Sequence, residues 1–213
     1  MVFDELTKLF GTQGVFDLAS VVQLSSGKRK GLLVQLYRWC KAGKLLPLRR
    51  GMYAFPARPG VKPVNPAEAA NLLYTPSYLS AQWALSFLGL IPERAATYTS
   101  VTSRVPRTFS NALGVFQYRH VKPAAFFGYA PVEIAGCRVL MAEPEKALLD
   151  LWHLEAGAWD EARMAEMRFQ GFELVKAAKL REYAVRFASP RLAVAAEVWL
   201  RLAREERKGT VEL

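Results

Sequence analysis

Four prolines fall within eleven residues in the stretch Pro56-Ala-Arg-Pro59-Gly60-Val-Lys-Pro63-Val-Asn-Pro66. Each proline fixes its own φ, lacks an N–H donor and pushes the preceding residue out of the helical region, so neither a helix nor a strand ladder runs through this segment. The chain of 213 residues is therefore expected to divide here. Residues 1–56 form one domain, 57–66 a semi-rigid linker and 67–213 a second domain. Charge divides at the same place. Residues 1–60 carry ten Lys/Arg against three Asp/Glu, while residues 61–213 carry nineteen against sixteen. Most of the net charge of +10 thus sits in the first quarter of the chain.

Such a balance points to an acidic partner, either nucleic acid or an anionic membrane surface. Apolar residues make up 52% and charged residues 23%, enough to bury a core and too apolar for a disordered tail. No stretch approaches the ~18 apolar residues of a membrane span. The acidic start, Met-Val-Phe-Asp-Glu, lacks the basic opening of a signal peptide. A cytoplasmic protein without membrane partners is expected. Cys40, Cys137, His120 and His153 form no metal-ligand spacing, so both cysteines read as buried free thiols. No cofactor or metal is expected.

Residues 1–55 carry the strongest local signal. Val2–Phe10 reads as a helix, and Asp17 caps a second helix over Leu18–Val22. Leu24-Ser25-Ser26-Gly27 is a turn, and a third helix runs from about Lys28 to Ala42, stopped by Gly43. Lys44–Leu48 and Met52–Phe55 read as strands around Arg49-Arg50-Gly51. Helix, helix, turn, helix and basic hairpin is the order of a winged helix-turn-helix. At 100° per residue Leu32, Leu33, Leu36, Trp39 and Cys40 share one side of the third helix and should face the core.

The opposite side holds Lys30, Gly31, Val34, Arg38 and Lys41, flanked by Gln35 and Tyr37, with Lys28 and Arg29 at the helix start. That mix suits a DNA major groove. Lys30 and Arg38 reach guanine edges or phosphates, Gln35 pairs with adenine, Val34 meets a thymine methyl, and Gly31 permits close backbone approach. Ser25, Ser26 and the first helical N–H groups lie where a phosphate would sit. Arg49 and Arg50 at the hairpin tip suit phosphates or a narrow minor groove. A charged helix face that is merely solvated is the ordinary alternative for Lys41 and Lys44.

After the linker, Ala67–Tyr74 reads as a short helix. Ser77 or Ser80 caps another that ends at Gly89, with Pro92 beyond. Strands follow over Thr97–Thr102, Arg107–Phe109 and Val115–Val121, then a hairpin of Val132–Ile134 and Cys137–Met141 around Ala135-Gly136. Pro144 opens a helix with Leu148, Leu151 and Trp152 on its apolar face, and the pattern is helical from Trp159 to Arg207. The fold class expected is α+β: an N-terminal winged helix-turn-helix, then a mixed α/β domain with a helical C-terminal part.

Several segments in order resemble one family. Tyr78-Leu-Ser-Ala-Gln-Trp-Ala-Leu-Ser-Phe-Leu-Gly-Leu-Ile-Pro92 is similar to the signature helix of the AbiEi-type abortive-infection antitoxins. So are Thr99-Ser-Val-Thr-Ser-Arg104, Gly114–Lys122 with Phe126–Tyr129, and Ala142-Glu-Pro-Glu-Lys-Ala-Leu-Leu-Asp-Leu151. Gly43-Lys-Leu and Arg50-Gly-Met-Tyr53 resemble the end of that family's winged helix. The likeness covers roughly residues 1–155. It implies an antitoxin of a type IV toxin–antitoxin system, countering a nucleotidyltransferase-like toxin without necessarily forming a stable complex. It also implies a repressor of its own operon, bound to inverted repeats in double-stranded DNA.

Read from the residues alone, the most distinctive block is structural. Lys146 and Asp150 are four apart and pair on one helix face, while Glu143 and Glu145 sit near a helix N-terminus. His120, beside Arg119 and Lys122, has no nucleophile paired with it in sequence, and Trp83, Trp152, Trp159 and Trp199 read as core. Two other functions remain open at this stage: a winged-helix-targeted nuclease or nucleotide-handling enzyme, and a protein-interaction module that binds the toxin directly. Against the enzyme stands the lack of a Gly-rich phosphate loop, a paired acidic metal motif or G-x-S-x-G.

Overall fold

The computed structural model describes residues 1–25 and 29–211. The chain is α+β. Its first part contains α1 (Phe3–Phe10), β1 (Val15–Asp17), α2 (Leu18–Leu24), α3 (Arg29–Lys41), β2 (Leu46–Arg49) and β3 (Met52–Ala54). The three strands form an antiparallel sheet in the order β1-β3-β2. Asp17 caps α2 by accepting from the Ser20 N–H at 2.7 Å.

The alternation of side chains in this sheet explains how the first part sits on the rest. Along β3 and the residue after it, Met52, Tyr53, Ala54 and Phe55 point alternately to two sides. Tyr53 and Phe55, with Phe16 of β1, join Leu6, Phe10, Val21, Leu32 and Leu36 in a core among the helices. Met52 and Ala54, with Val15 and Leu48, belong instead to the core of the larger part. The small sheet is thus apolar on both faces and bridges two clusters.

The proline-rich segment is packed down as well. Val61 is buried in the helical cluster, and the Lys62 N–H donates to the Gly11 carbonyl at 2.8 Å. The Arg58 guanidinium donates to Thr7 Oγ1 at 2.6 Å and lies over the rings of Phe3 and Phe55.

The larger part contains α4 (Pro66–Leu73), β4 (Ser77–Leu79), α5 (Ala81–Phe87), β5 (Thr97–Thr102), β6 (Arg107–Asn111), β7 (Gly114–His120), β8 (Tyr129–Ile134) and β9 (Cys137–Ala142). Then come α6 (Pro144–Leu154), α7 (Glu161–Glu166), α8 (Ala177–Arg186) and α9 (Pro190–Val211). Its mixed six-stranded sheet has the order β6-β7-β5-β4-β9-β8, with β5/β7 and β4/β9 parallel. Helices α5 and α6 pack on each other, and α6 packs on α8 and α9. Among the described residues no helix is long and apolar enough to cross a membrane.

Two strands differ from the sequence expectation. Val15–Asp17, between the first two helices, is β1. Ser77, expected as a helix cap, opens β4, and Ser80 occupies the N-cap position of α5 without making a cap hydrogen bond. Both strands are three residues long, too short for a period of two to stand out.

Candidate nucleic-acid interface

Helix α3 is anchored by Leu32 and Leu36, both buried, and by Trp39, whose ring meets that of Phe3 edge-on at 5.2 Å. It ends where Gly43 turns to φ +68°. There the Gly43 N–H donates to the Cys40 carbonyl and the Lys44 N–H to the Trp39 carbonyl, a Schellman closure that satisfies the last carbonyls. The chain then enters the β2–β3 hairpin, and the Leu18 N–H donates to the Gly51 carbonyl at 2.8 Å, fixing the hairpin turn against the start of α2. Backbone hydrogen bonds thus close the end of α3 and tie the hairpin turn to α2.

With the core side fixed, the outward face follows. Arg29, Lys30, Gly31, Val34, Arg38 and Lys41 are exposed, Val34 at 50%. Arg50 at the turn is also exposed, while Gln35 and Ser25 are half-buried. Ser26 and Lys28 lie outside the described residues. A Cβ added at Gly31 would meet nothing within 4 Å, so the helix backbone lies bare there. Among the described residues no carboxylate forms an ion pair with Arg29, Lys30, Arg38, Lys41, Arg49 or Arg50.

Three residues sit differently from the sequence expectation. Leu33, placed with the core at the outset, is 40% exposed, because it lies on the flank of α3 that turns toward the hairpin. Arg49 is half-buried: its Nε is shut off from solvent without a partner among the described residues, and Nη1 donates to the Arg50 carbonyl at 3.4 Å. Its positive charge opposes the burial that pushes up the Tyr118 phenol, which places Arg49 toward the larger part of the chain. The two neighbouring arginines thus have different surroundings. Between α2, α3 and the hairpin runs a groove of about 1200 Å³ with Leu33 and Tyr37 on its wall. Cys40, expected as a buried thiol on the core side, instead lines this groove half-buried, because its flank of α3 faces the hairpin, and burial pushes its thiol up.

The acidic block at the start of α6 is elsewhere and closed to solvent. Lys146 and Asp150 form an ion pair in which neither side chain is exposed. The Lys146 ammonium donates to Tyr78 Oη at 2.8 Å, and Asp150 accepts from Ser80 Oγ at 2.7 Å and from Tyr78 Oη at 3.1 Å. Burial, followed by the Asp150 charge, holds the Tyr78 phenol far above its ordinary range. Burial draws the Lys146 ammonium down against the pull of Asp150. Glu143 accepts from Lys179 Nζ at 2.8 Å and Tyr183 Oη at 2.6 Å, and Glu145 from the Lys176 N–H at 2.8 Å. Each charged residue of the block therefore has a partner, and together they tie β4, α6 and α8. Tyr78 and Ser80 were not legible as members of this network, since no pattern in the sequence separates a three-residue strand from the helix after it.

No family model matches the chain, and no curated protein matches it.

Proposed function

We propose that the chain is a sequence-specific DNA-binding protein. Its residues 1–56 act as a winged helix-turn-helix, and α3 serves as the reading helix. The observation that carries this reading is the exposed set Arg29, Lys30, Arg38 and Lys41 on one helix, with no carboxylate partner among the described residues, closed by Gly43 beside a hairpin tipped with Arg50. A duplex carries a phosphate charge about every 1.7 Å, so such a set neutralises phosphates and releases counterions. The element order α1-β1-α2-α3-β2-β3, with β1 paired to β3, supports the winged-helix reading over a bare helix-turn-helix.

With the resemblance to AbiEi-type antitoxins, the function is autorepression of its own operon and protection of the cytoplasm from a nucleotidyltransferase-like toxin. Residues 67–213 carry the antitoxin activity. The test is affinity of the full chain for its own promoter and for random duplex across a salt series. Tighter binding to the promoter is expected, with ~0.9 in log–log slope per phosphate contact. Equal affinity for both duplexes would exclude an autorepressor. Growth rescue on co-expression with an adjacent nucleotidyltransferase-like gene tests the antitoxin role separately.

A further inference from the structure

The groove beside α3 has a character that DNA reading does not require. Its walls are Leu18 and Val22 of α2, Leu33 and Tyr37 of α3, and Pro47 and Tyr53 of the hairpin. Leu33 and Tyr37 are 40% and 62% exposed, an unusual investment of apolar surface on an otherwise basic helix. At about 1200 Å³ the groove exceeds the ~300–1,000 Å³ of small-molecule sites. It follows α3 from Arg29 to Lys41, a length of about 18 Å at 1.5 Å per residue. A polypeptide helix of three to four turns matches that length.

The surrounding charges choose the chemistry of the occupant. Arg29, Lys41, Arg49 and Arg50 line the groove with the apolar residues. Among the described residues the only carboxylate there is Asp17, already engaged with the Ser20 N–H. We propose that this groove takes an amphipathic helical segment of a partner protein, with an apolar ridge at i, i+3, i+4 and i+7 seated on Leu33 and Tyr37. Carboxylates flanking that ridge face the exposed cations Arg29, Lys41 and Arg50. Helix-in-groove docking gains its affinity from the buried ridge, and the charges fix sign and orientation. The proposal does not depend on DNA binding, and its test uses none in the decisive arm.

Cys40 provides a reporter inside the groove, because the other cysteine, Cys137, is buried. The probe is a fluorescein-labelled synthetic helix of about 15 residues, long enough to span the groove, with leucines on the ridge and glutamates on the flanks. A matched peptide carries glutamine in place of glutamate. With the full chain, the glutamate peptide should bind saturably by anisotropy and slow iodoacetamide labelling of Cys40. The glutamine peptide should bind at least tenfold more weakly. Leu33→Gln with Tyr37→Gln should weaken the glutamate peptide at least tenfold, while Leu174→Gln, exposed on the larger part of the chain, should not. Because all three residues are exposed, unchanged thermal unfolding is expected for each variant. Absence of saturable binding, or binding indifferent to Leu33 and Tyr37, overturns the proposal. So does protection of Cys40 by a random-sequence duplex but not by the peptide, which assigns the groove to DNA.

Discussion

Lys146 and Asp150, one turn apart on α6, form an ion pair from which solvent is wholly excluded. Taking two charges out of water costs several kcal/mol per ion, and that cost is offset only where geometry and further hydrogen bonds are good. Here Asp150 gains two hydroxyl donors and Lys146 one hydroxyl acceptor. Removing a single member leaves the other buried and uncompensated. Lys146→Met or Asp150→Leu should each lower stability by ~3–5 kcal/mol in urea unfolding. The double replacement Lys146→Met with Asp150→Leu should cost less than the sum. It should not reach wild type, because the hydroxyls of Tyr78 and Ser80 lose their acceptor. A double variant whose loss equals the sum of the two single losses would show that the pair is not the coupled unit.

Glu143 gives the fold a dependence on acid. Burial pushes its carboxyl up, but the hydrogen bonds from Lys179 and Tyr183 outweigh it, and the net shift is downward. A group whose folded pKa lies below its unfolded value stabilises the fold above the unfolded value. That contribution is lost as pH falls through the folded one. Wild type should therefore lose stability on going from neutral pH to below the ordinary carboxylate range of about 4.3, by more than Glu143→Gln loses. Parallel urea titrations at both pH values measure this difference. An identical acid dependence in the two proteins would remove Glu143 from the account. At the alkaline end Tyr183, pushed up to about 12 by burial and then by its bond to Glu143, should stay protonated well beyond an ordinary tyrosine.

How much of this was legible in the sequence depended on the distance over which each signal acts. The caps and stops were local. Asp17 capping α2, Gly43 closing α3 and Pro144 opening α6 each needed only neighbouring residues, and each stands where its chemistry places it. The Lys146–Asp150 pair was legible too, because four residues is one helical turn. Its partners Tyr78 and Ser80 were not, since they arrive from about 70 positions away. The proline-rich segment marked a true break in secondary structure. Nothing within it, however, told that Val61 and Arg58 pack back onto α1, or that Val15, Leu48, Met52 and Ala54 belong to the other core. Leu33 shows the limit of helical phase: its position on the wheel lies near the core residues, and only the packing of α2 and the hairpin decides which flank is covered.

Gly31 should separate stability from binding. It lies in α3 with open space where a Cβ would be, and a glycine in a helix is about 1 kcal/mol less favourable than alanine. Gly31→Ala should therefore raise stability, by up to about 1 kcal/mol. If α3 lies against a duplex, the added methyl stands between the helix backbone and the DNA, and affinity should fall while stability rises. Thermal unfolding and promoter-binding titrations on the same preparation read both. A variant that is more stable and binds DNA as well as wild type would place the contact surface away from Gly31.

If the proposed DNA-binding role holds, the arginines should divide into those that read bases and those that only grip phosphate. Arg38 is exposed in the third turn of α3, on the face opposite Leu32 and Leu36. A groove-inserted helix brings such a residue toward base edges, where a bidentate contact is worth ~1–3 kcal/mol of discrimination. Arg38→Ala should therefore relax preference at particular base pairs across a panel of single-base promoter variants. Arg50, exposed at the hairpin turn, should contact phosphate. Its change to alanine should weaken all duplexes evenly and flatten the salt slope by ~0.9. Arg49 should not behave like its neighbour. With its Nε enclosed, Arg49→Ala should leave the salt slope nearly unchanged. Affinities across salt for the three variants, with thermal unfolding alongside, decide among these roles. Equal losses on every promoter variant would reduce Arg38 to a phosphate contact. Equal salt slopes for Arg49→Ala and Arg50→Ala would return both arginines to the same backbone grip.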